Sequence, residues 1–238
     1  MMANQKSLDI ISNNLLNVQT AGYRAEKSVL SAFEQEMVTA IESSGNTVLG
    51  DGVGAQITTI KGNNTLFQEG EIQATGRNLD VAISGEGFFS VTGEDGKTYL
   101  TRNGGFDLDT EGYLVLPGVG RVLGKSGYIK AAGTDIEITA DGTVKSSSGT
   151  VLGNILVSSP TDYSTLQRTE NGLFTSEETV PASTKFQLYQ KSLEKSNVSM
   201  NVELTNLIAA QRSFQGCSSA LETVDAINRK AAQQLAAI

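Results

Sequence analysis

Residues 196–238 read SNVSMNVELTNLIAAQRSFQGCSSALETVDAINRKAAQQLAAI, and this stretch decides how the chain is organised. Its apolar side chains recur every three or four residues, which is the period of one face of an α-helix. A helix of about 40 residues is about 60 Å long, so its apolar face needs a helical partner from the N-terminus or from another copy of the chain. The apolar positions are Leu204, Leu207, Ile208, Phe214, Cys217, Leu221, Val224, Ile227, Ala231, Leu235 and Ile238.

The N-terminus contains the other amphipathic segments. Apolar residues between Leu8 and Val18 lie three and four positions apart, and the pattern stops at residues 20–23, where Gly22 can adopt the left-handed backbone that ends many helices. A further stripe predicts a connecting helix that ends in the polar loop 43–46, followed by an extended segment to residue 64. Its members are Leu30, Phe33, Met37 and Ile41.

The middle of the chain, from about Val53 to Phe186, has the pattern of short strands and tight turns. Asx-Gly pairs and similar pairs punctuate it, and these suit hairpin turns that need a positive φ. We therefore predict an antiparallel β-rich domain, with the glycine-rich segments 50–54 and 118–124 as loops. The predicted strands are 56–60, 79–83, 88–91, 99–101, 113–116, 136–139 and 155–157, and the turn pairs are 95–96, 103–104, 111–112, 141–142 and 171–172.

The amino-acid composition argues against most classes of enzyme and of binding protein. The chain has 18 Lys and Arg against 26 Asp and Glu, a formal charge of −8, which argues against a nucleic-acid partner. It has no His and a single Cys, Cys217, so histidine-based catalysis, His–metal sites and internal disulfides are excluded. No apolar run is long enough for a membrane span, and the start does not resemble a cleavable signal peptide. The sequence indicates no cofactor and no metal.

Four segments together resemble the flagellar rod and hook protein family. They are SNNLLNVQTAGYR at 12–24, NLDVAISGEGFF at 78–89, YLTRNGGF at 99–106, and LEKSNV at 193–198 followed by ELTNLI and QRSF at 203–208 and 211–214. Within the β-rich middle, the residues that carry the match are Leu79, Asp80, Val81, Gly85, Gly87, Phe88, Phe89, Thr101, Arg102, Gly104 and Phe106.

The resemblance implies a non-enzymatic subunit of the flagellar basal-body rod, of the proximal or distal rod type. It implies that terminal helices, from residues 1–24 and 197–238, pair as a coiled coil in an inner tube, with the β-rich domain 65–196 inserted between them. The implied partners are other copies of the chain, neighbouring rod or hook subunits, and the flagellar export apparatus, through whose channel the chain leaves the cytoplasm. The length favours a rod protein over a hook protein.

The resemblance also implies a set of polymer-interface residues on the terminal helices. Asn has weak helix propensity, so the asparagines of 13–17 are expected to fix register between subunits through their amides; a solvated face that ends in a turn is the alternative. Gln211 and Arg212 are either interface donors or exposed helix formers. Leu16 stands where the family often has Ala. The predicted interface residues are Asn13, Asn14, Leu15, Asn17, Val18, Thr20, Leu204, Leu207, Ile208, Gln211, Arg212, Phe214, Leu221 and Val224.

Other interpretations stay open at this point. A hook-type axial protein fits the same motifs, and a secreted β-domain adhesin with oligomerising helices fits the same pattern. A carboxylate-dependent hydrolase is disfavoured because the chain has no Trp to line a sugar-binding groove. Residues 107–112, DLDTEG, imitate half of a calcium loop but lack the acid at position 12, so a hairpin turn is preferred. Phe88 and Phe89 are both expected in the core.

Overall fold

The computed structural model describes residues 2–32, 58–131, 133–169, 172–176 and 180–235. The chain divides into two compact units. Unit 1 comprises Met1–Leu15, Glu26–Leu66 and Met200–Ile238, and unit 2 comprises Leu16–Ala25 and Phe67–Ser199. The described part is mainly antiparallel β-structure with a short N-terminal helix and a long C-terminal helix, which confirms the predicted β-rich class.

The helices are α1, Met2–Leu16, and α2, Met200–Leu235, and a single 3₁₀ turn in the described residues covers Tyr163–Thr165. The strands β1 to β9 are Glu26–Ala32, Thr58–Thr65, Ile72–Ala74, Val81–Gly85, Phe88–Gly93, Thr98–Thr101, Asp107–Leu108, Leu114–Leu116 and Gly120–Gly124. The strands β10 to β18 are Gly127–Tyr128, Ile136–Ile138, Thr143–Ser146, Val151–Asn154, Val157–Ser158, Gln167–Arg168, Phe174–Thr175, Phe186–Gln190 and Ser192–Glu194.

Unit 1 contains a strand where the sequence predicts a helix. Leu30 lies in β1 and pairs with Ile60 of β2, in an antiparallel ladder that runs from Glu26 and Thr65 to Ala32 and Thr58. The helix predicted to begin at Leu30 is therefore wrong at that residue, because pairing with a distant strand overrides local apolar spacing. Phe33, Met37, Ile41 and the predicted loops 43–46 and 50–54 lie outside the described residues.

Unit 2 is built around a sheet with the strand order β15-β16-β6-β5-β9-β8-β7. Its central strand β5 pairs with β6 on one side and with β9 on the other. The main core includes side chains from these strands and from other strands of unit 2, and Val81, Phe89, Phe106, Leu114 and Val122 are completely inaccessible to solvent. The predicted strands 79–83, 88–91, 99–101, 113–116 and 136–139 overlap β4, β5, β6, β8 and β11, and those predictions are confirmed.

Strand β9 corrects a second prediction. The sequence predicts a loop at residues 118–124, yet Gly120–Gly124 pairs with both β5 and β8 in the middle of the sheet. A Cβ at Gly120 would lie 1.9 Å from the carbonyl oxygen of Thr92, so only glycine allows the two backbones to approach this closely. The glycines that permit the pairing are what makes the segment resemble a loop.

Before it enters α2, the chain returns to the start of the longer segment of unit 2, Phe67–Ser199. Strand β17 pairs with β4, and β18 pairs with β3, which brings residues 186–194 beside residues 72–85. Neither strand was predicted from the sequence, although the alternation in Phe186–Gln190 is a signal for β17. This return places the residues that precede α2 next to the segment that follows β2.

Candidate assembly surface

Helix α2 exposes much of its apolar surface. Over 36 residues it extends about 54 Å. Leu221, Val224 and Ile227 are 50%, 51% and 60% exposed, and Ile208 is 53% exposed. Leu207, Phe214 and Cys217, which recur on one face of the N-terminal half, are half-buried. The cover on this face therefore ends near Cys217, and the apolar row beyond it faces solvent.

Side-chain contacts from α1 explain the partial cover. Asn4 Nδ2 donates to Ser213 Oγ at 3.0 Å and lies 3.9 Å from Cys217 Sγ. A further side-chain hydrogen bond joins Asn14 to Glu203. Asn4 contacts Ser213, and Asn14, ten residues later on α1 (14 − 4), contacts Glu203, ten residues earlier on α2 (213 − 203). The two helices run antiparallel where they touch.

Asn14 is the most constrained of the predicted interface asparagines. Its side chain is 1% exposed and forms two bonds with the backbone of Glu26: Asn14 Nδ2 donates to the carbonyl oxygen at 2.8 Å, and the Glu26 amide donates to Asn14 Oδ1 at 3.0 Å. The amide therefore ties the end of α1 to the start of β1 within one chain. Sequence reasoning missed this role, because an Asn in a helical pattern does not indicate its partner strand.

The other predicted residues near the end of α1 have varied environments. Asn13 and Thr20 are exposed, whereas Leu15, Asn17 and Val18 are half-buried. Thr20 Oγ1 donates to Asn17 Oδ1 at 3.1 Å and closes the turn that ends the helix. Leu16 is 83% exposed.

Glu203 lies in a groove of unit 1 with a volume of about 310 Å³. Burial raises the pKa of the Glu203 carboxyl above its ordinary value, and the bond with Asn14 and the charge of Lys27 oppose that shift. The remaining lining includes small residues from both helices. The lining residues are Ser7, Ile10, Ile11, Glu26, Lys27, Ser28, Glu203, Asn206, Ala209 and Ala210.

On α2, the predicted residues divide between exposed and half-buried positions. Leu204 is 36% exposed, and Gln211 and Arg212 also face solvent. Leu204 and Ile208 lie one turn apart on a side of the helix different from that of Leu207 and Phe214. The N-terminal half of α2 therefore has an exposed apolar patch in addition to the half-buried row.

The family-motif residues of unit 2 form its core rather than its surface. Phe89 packs edge-on against Phe106 with ring centroids 5.0 Å apart. Phe88 points to the opposite face and joins Phe174, at 5.6 Å, in a separate aromatic cluster. Both phenylalanines are buried, as predicted. Leu79 and Val81 lie in the main core, and Asp80 accepts from Thr75 Oγ1 at 2.6 Å. Thr101 Oγ1 accepts from the Asn103 amide at 3.0 Å. A Cβ at Gly85, Gly87 or Gly104 would lie less than 3 Å from a neighbouring atom.

A buried charge cluster connects three of the motifs. Glu194 Oε1 lies 2.7 Å from Arg24 Nη1, and Glu194 Oε2 lies 3.1 Å from Arg102 Nη1. All three side chains are at most 4% exposed. Burial lowers the pKa of the Arg24 guanidinium, Glu194 opposes this shift, and the like charge of Arg102 adds to it. No sequence signal identified this cluster, because its members are far apart in the chain.

The acidic segment 107–112 forms a hairpin turn, as predicted. Asp109 Oδ1 accepts from the backbone amides of Glu111 and Tyr113 at 2.9 and 2.7 Å, which closes the turn. Its other oxygen binds Arg121, which also binds Glu111. These carboxylates therefore support the β7–β8 connection and its neighbour β9.

The two helices touch each other and lie on either side of a β-rich middle in the sequence, and α2 carries an exposed apolar row. An exposed apolar surface of this kind is typical of a structural subunit that contacts another protein. In the described residues, neither helix is apolar over a length that could cross a bilayer. Comparison with known protein families supports a structural subunit. A family profile described as "Flagellar hook protein FlgE/F/G D1 domain" matches residues 82–146, and one described as "Flagellar basal body rod FlgEFG protein C-terminal" matches residues 189–234.

Curated relatives match almost the whole chain. It is 33% identical over 254 residues to the flagellar basal-body rod protein FlgG of Borreliella burgdorferi, covering 94% of this chain and 91% of that protein. It is 30% identical over 249 residues to FlgG of Bacillus subtilis, covering 94% and 91%, and 29% identical over 245 residues to FlgF of Caulobacter vibrioides, covering 100% and 95%. The chain belongs to the family of flagellar basal-body rod proteins, which are structural proteins and not enzymes.

Proposed function

We propose that this chain self-assembles through its terminal helices into a tubular axial polymer, the flagellar rod, which transmits torque from the motor to the hook. Family membership supports the structural role at the basal body. The observation that carries the assembly step is the exposed apolar row of α2, since Leu221, Val224 and Ile227 are each at least half exposed. Neighbouring subunits would cover that row.

The proposed polymer contact is a coiled coil formed by helices from residues 1–24 and 197–238. It uses the exposed positions Leu204, Ile208, Gln211 and Arg212 together with the row that continues through Phe214, Leu221 and Val224. Leu207 and Phe214 are already half-buried in the single chain, so the polymer would extend an existing helix contact. The asparagines 13, 14 and 17 and Leu15, Val18 and Thr20 belong to the same proposed interface.

The β-rich domain, residues 65–196, would then lie outside the tube, joined to it through residues 25–64. The proposed partners are other copies of the chain and neighbouring rod or hook subunits. We also propose that the chain reaches its site through the flagellar export channel. Because the exposed row of α2 would gain cover only from neighbouring subunits, the subunit would order completely only at the growing tip.

Circular dichroism tests this coupled ordering. The monomer should show strand signal with less helix than the sequence pattern allows, and helicity should rise when subunits polymerise, because burial of the α2 row stabilises the helix. Equal helicity in monomer and polymer would contradict the idea.

Immunogold electron microscopy of purified hook–basal bodies tests the function itself. An antibody against residues 65–195 should label the rod, and the label's position relative to the outer rings would separate a proximal from a distal subunit. Label on the hook would favour a hook-type axial protein. Unlabelled basal bodies, with the chain found elsewhere on the cell, would contradict the proposal and favour an adhesin.

A further inference from the structure

Three sequence motifs that lie far apart in the chain meet at one buried carboxylate. Arg24 ends the N-terminal motif, Arg102 lies in the motif YLTRNGGF, and Glu194 belongs to LEKSNV shortly before α2. All three residues belong to unit 2, and both arginines bind the Glu194 carboxylate, one at each oxygen. This buried charge cluster is therefore not a surface ion pair but the meeting point of the segments that adjoin both terminal helices.

We infer that Glu194 is a positioning residue for assembly: it sets the register of the segments that follow α1 and precede α2. This inference rests on the proposed function. Positioning is a separate claim from stability, because it concerns where the segments lie and not whether the β-rich core folds.

The backbone bonds around Glu194 carry the argument. The Gly22 amide donates to the Glu194 carbonyl oxygen at 2.8 Å, and the Gly70 amide donates to Glu194 Oε1 at 2.9 Å. One residue thus holds the segment after α1 and the segment after β2. Arg24 adds a bond from Nη1 to the carbonyl oxygen of Gln68, which joins those two segments directly.

Arg102 fixes the cluster to the core of unit 2. Its Nη2 donates to the Gly85 carbonyl oxygen at 2.7 Å, at the end of β4. Its guanidinium also lies over the ring of Phe88, 5.4 Å from the centroid. Glu194 and the segments attached to it are therefore held against the end of β4 and the buried ring of Phe88.

The charge balance makes this a device for specificity rather than for stability. Two guanidinium groups share one carboxylate, and Arg24 Nε, Arg24 Nη2 and Arg102 Nε are buried without a hydrogen-bond partner. Burying charges in this way costs desolvation energy that the attraction only partly offsets, whereas removal of one partner is strongly destabilising. An apolar cluster would stabilise unit 2 equally well, but it would not define one register for the three segments.

Hydrogen exchange on the full chain provides the first test. Glu194→Gln keeps the size of the side chain but leaves both arginines without their counter-charge, so protection at the Gly22 and Gly70 amides should fall by about 100-fold. Strands β5 and β9, which contribute to the main core, should lose less protection than these two amides. The matched control is Glu71→Gln, at a carboxylate that is 81% exposed and 3.9 Å from Lys195 Nζ, and it should change neither.

A triple variant keeps the test decisive if the single variant unfolds. Arg24→Met, Arg102→Met and Glu194→Met together replace the charges by apolar side chains of similar length, which proteins often tolerate. We expect this variant to retain a folded β-rich core, to lose protection at the Gly22 and Gly70 amides, and to incorporate into basal bodies at least about tenfold less than the wild type.

The outcomes separate the two claims. If the triple variant keeps protection at Gly22 and Gly70, or loses it and still incorporates normally, Glu194 is not a positioning residue. If Glu194→Gln lowers protection equally throughout unit 2, the residue serves stability alone and the inference is wrong. If the wild-type chain itself does not enter basal bodies, the proposed function fails, and the role in assembly fails with it.

Discussion

Gly104 shows how little space a single residue has in unit 2. A Cβ built at this position would lie 1.7 Å from the carbonyl oxygen of Val81, and the Val81 amide donates to the Gly104 carbonyl at 3.0 Å. The sequence predicts a hairpin turn with a positive φ at Asn103-Gly104, yet Gly104 does not have one, and its role is close backbone approach. Glycines of the other predicted turn pairs do have a positive φ, namely Gly96, Gly112, Gly142 and Gly172.

Gly104→Ala should lower the free energy of unfolding by about 2 kcal/mol or more, because the added methyl group forces the two backbones apart. Urea denaturation followed by circular dichroism would measure it. The control is Gly133→Ala, where a Cβ meets no atom within 4 Å, and its effect should stay within about 0.5 kcal/mol. Similar losses in both variants would contradict this account.

Asp141 gives a prediction for acid conditions. Bonds from the Thr139 and Thr143 hydroxyls lower its pKa from 3.8 to about 2. A lowered pKa contributes stability that is present above the ordinary value and lost as the pH falls from about 4 to about 2. NMR titration should therefore find the Asp141 carboxyl ionised at about pH 3, and Thr139→Val should move its pKa back towards 3.8. A titration unchanged by Thr139→Val would exclude that hydroxyl as a cause.

At the scale of single residues, sequence reasoning identified kinds of environment better than partners. The burial of Phe88 and Phe89 followed from their place in an apolar strand. The bond between Asn14 and Glu26 did not, because a helical pattern says nothing about which strand an amide reaches. The cluster at Glu194 was equally invisible, since ion pairs between distant segments leave no local pattern.

At the scale of elements, the C-terminal half of α2 offers a direct test of the proposed interface. Leu221→Lys with Val224→Lys places two charges in the exposed apolar row, so incorporation into basal bodies should fall at least about tenfold, because the charges would lose solvation in a coiled coil. Western blotting of purified basal bodies would measure it.

The matched control places the same charges on the opposite side of the helix. Thr223→Lys with Ala226→Lys keeps the spacing of three residues and the same exposed stretch of α2, and it should incorporate normally. Equal loss in both variants would show that added charge, not the apolar row, is responsible.

Elements were predictable where their own pattern is strong. Helix α2 follows from a long apolar period, and β5 follows from a short apolar run bounded by turns. Strands β1 and β9 were missed for different reasons. Strand β1 depends on a partner some thirty positions away (Leu30 with Ile60), and β9 is rich in glycine because its neighbours approach closely.

At the scale of the whole molecule, assembly through both ends predicts that both are indispensable. Deletion of residues 1–16 or of residues 200–238 should each abolish incorporation into the rod, since the proposed coiled coil needs both helices. An epitope inserted in the exposed turn 147–149 between β12 and β13 should be tolerated and provides the readout. An adhesin that used its helices only to oligomerise would tolerate the loss of one end.

The arrangement of helix, β-rich middle and helix was predictable from the change of period along the chain. The convergence of the connecting segments was not, because it depends on β17 and β18 returning to β4 and β3. Those strands are short, and their partners lie about a hundred residues earlier, so only the folded chain reveals them.

The convergence of these segments also bears on how such proteins could be remodelled. The Ala25 amide lies 2.7 Å from Asn197 Oδ1, and Asn197 Nδ2 lies 3.0 Å from the carbonyl oxygen of Gln68, so three of the four places where the chain enters or leaves unit 2 lie close together. Domains with closely spaced ends are those most readily inserted into a host or exchanged for another. Evolution or a protein engineer could therefore enlarge or replace unit 2 while leaving the residues at these boundary points unchanged.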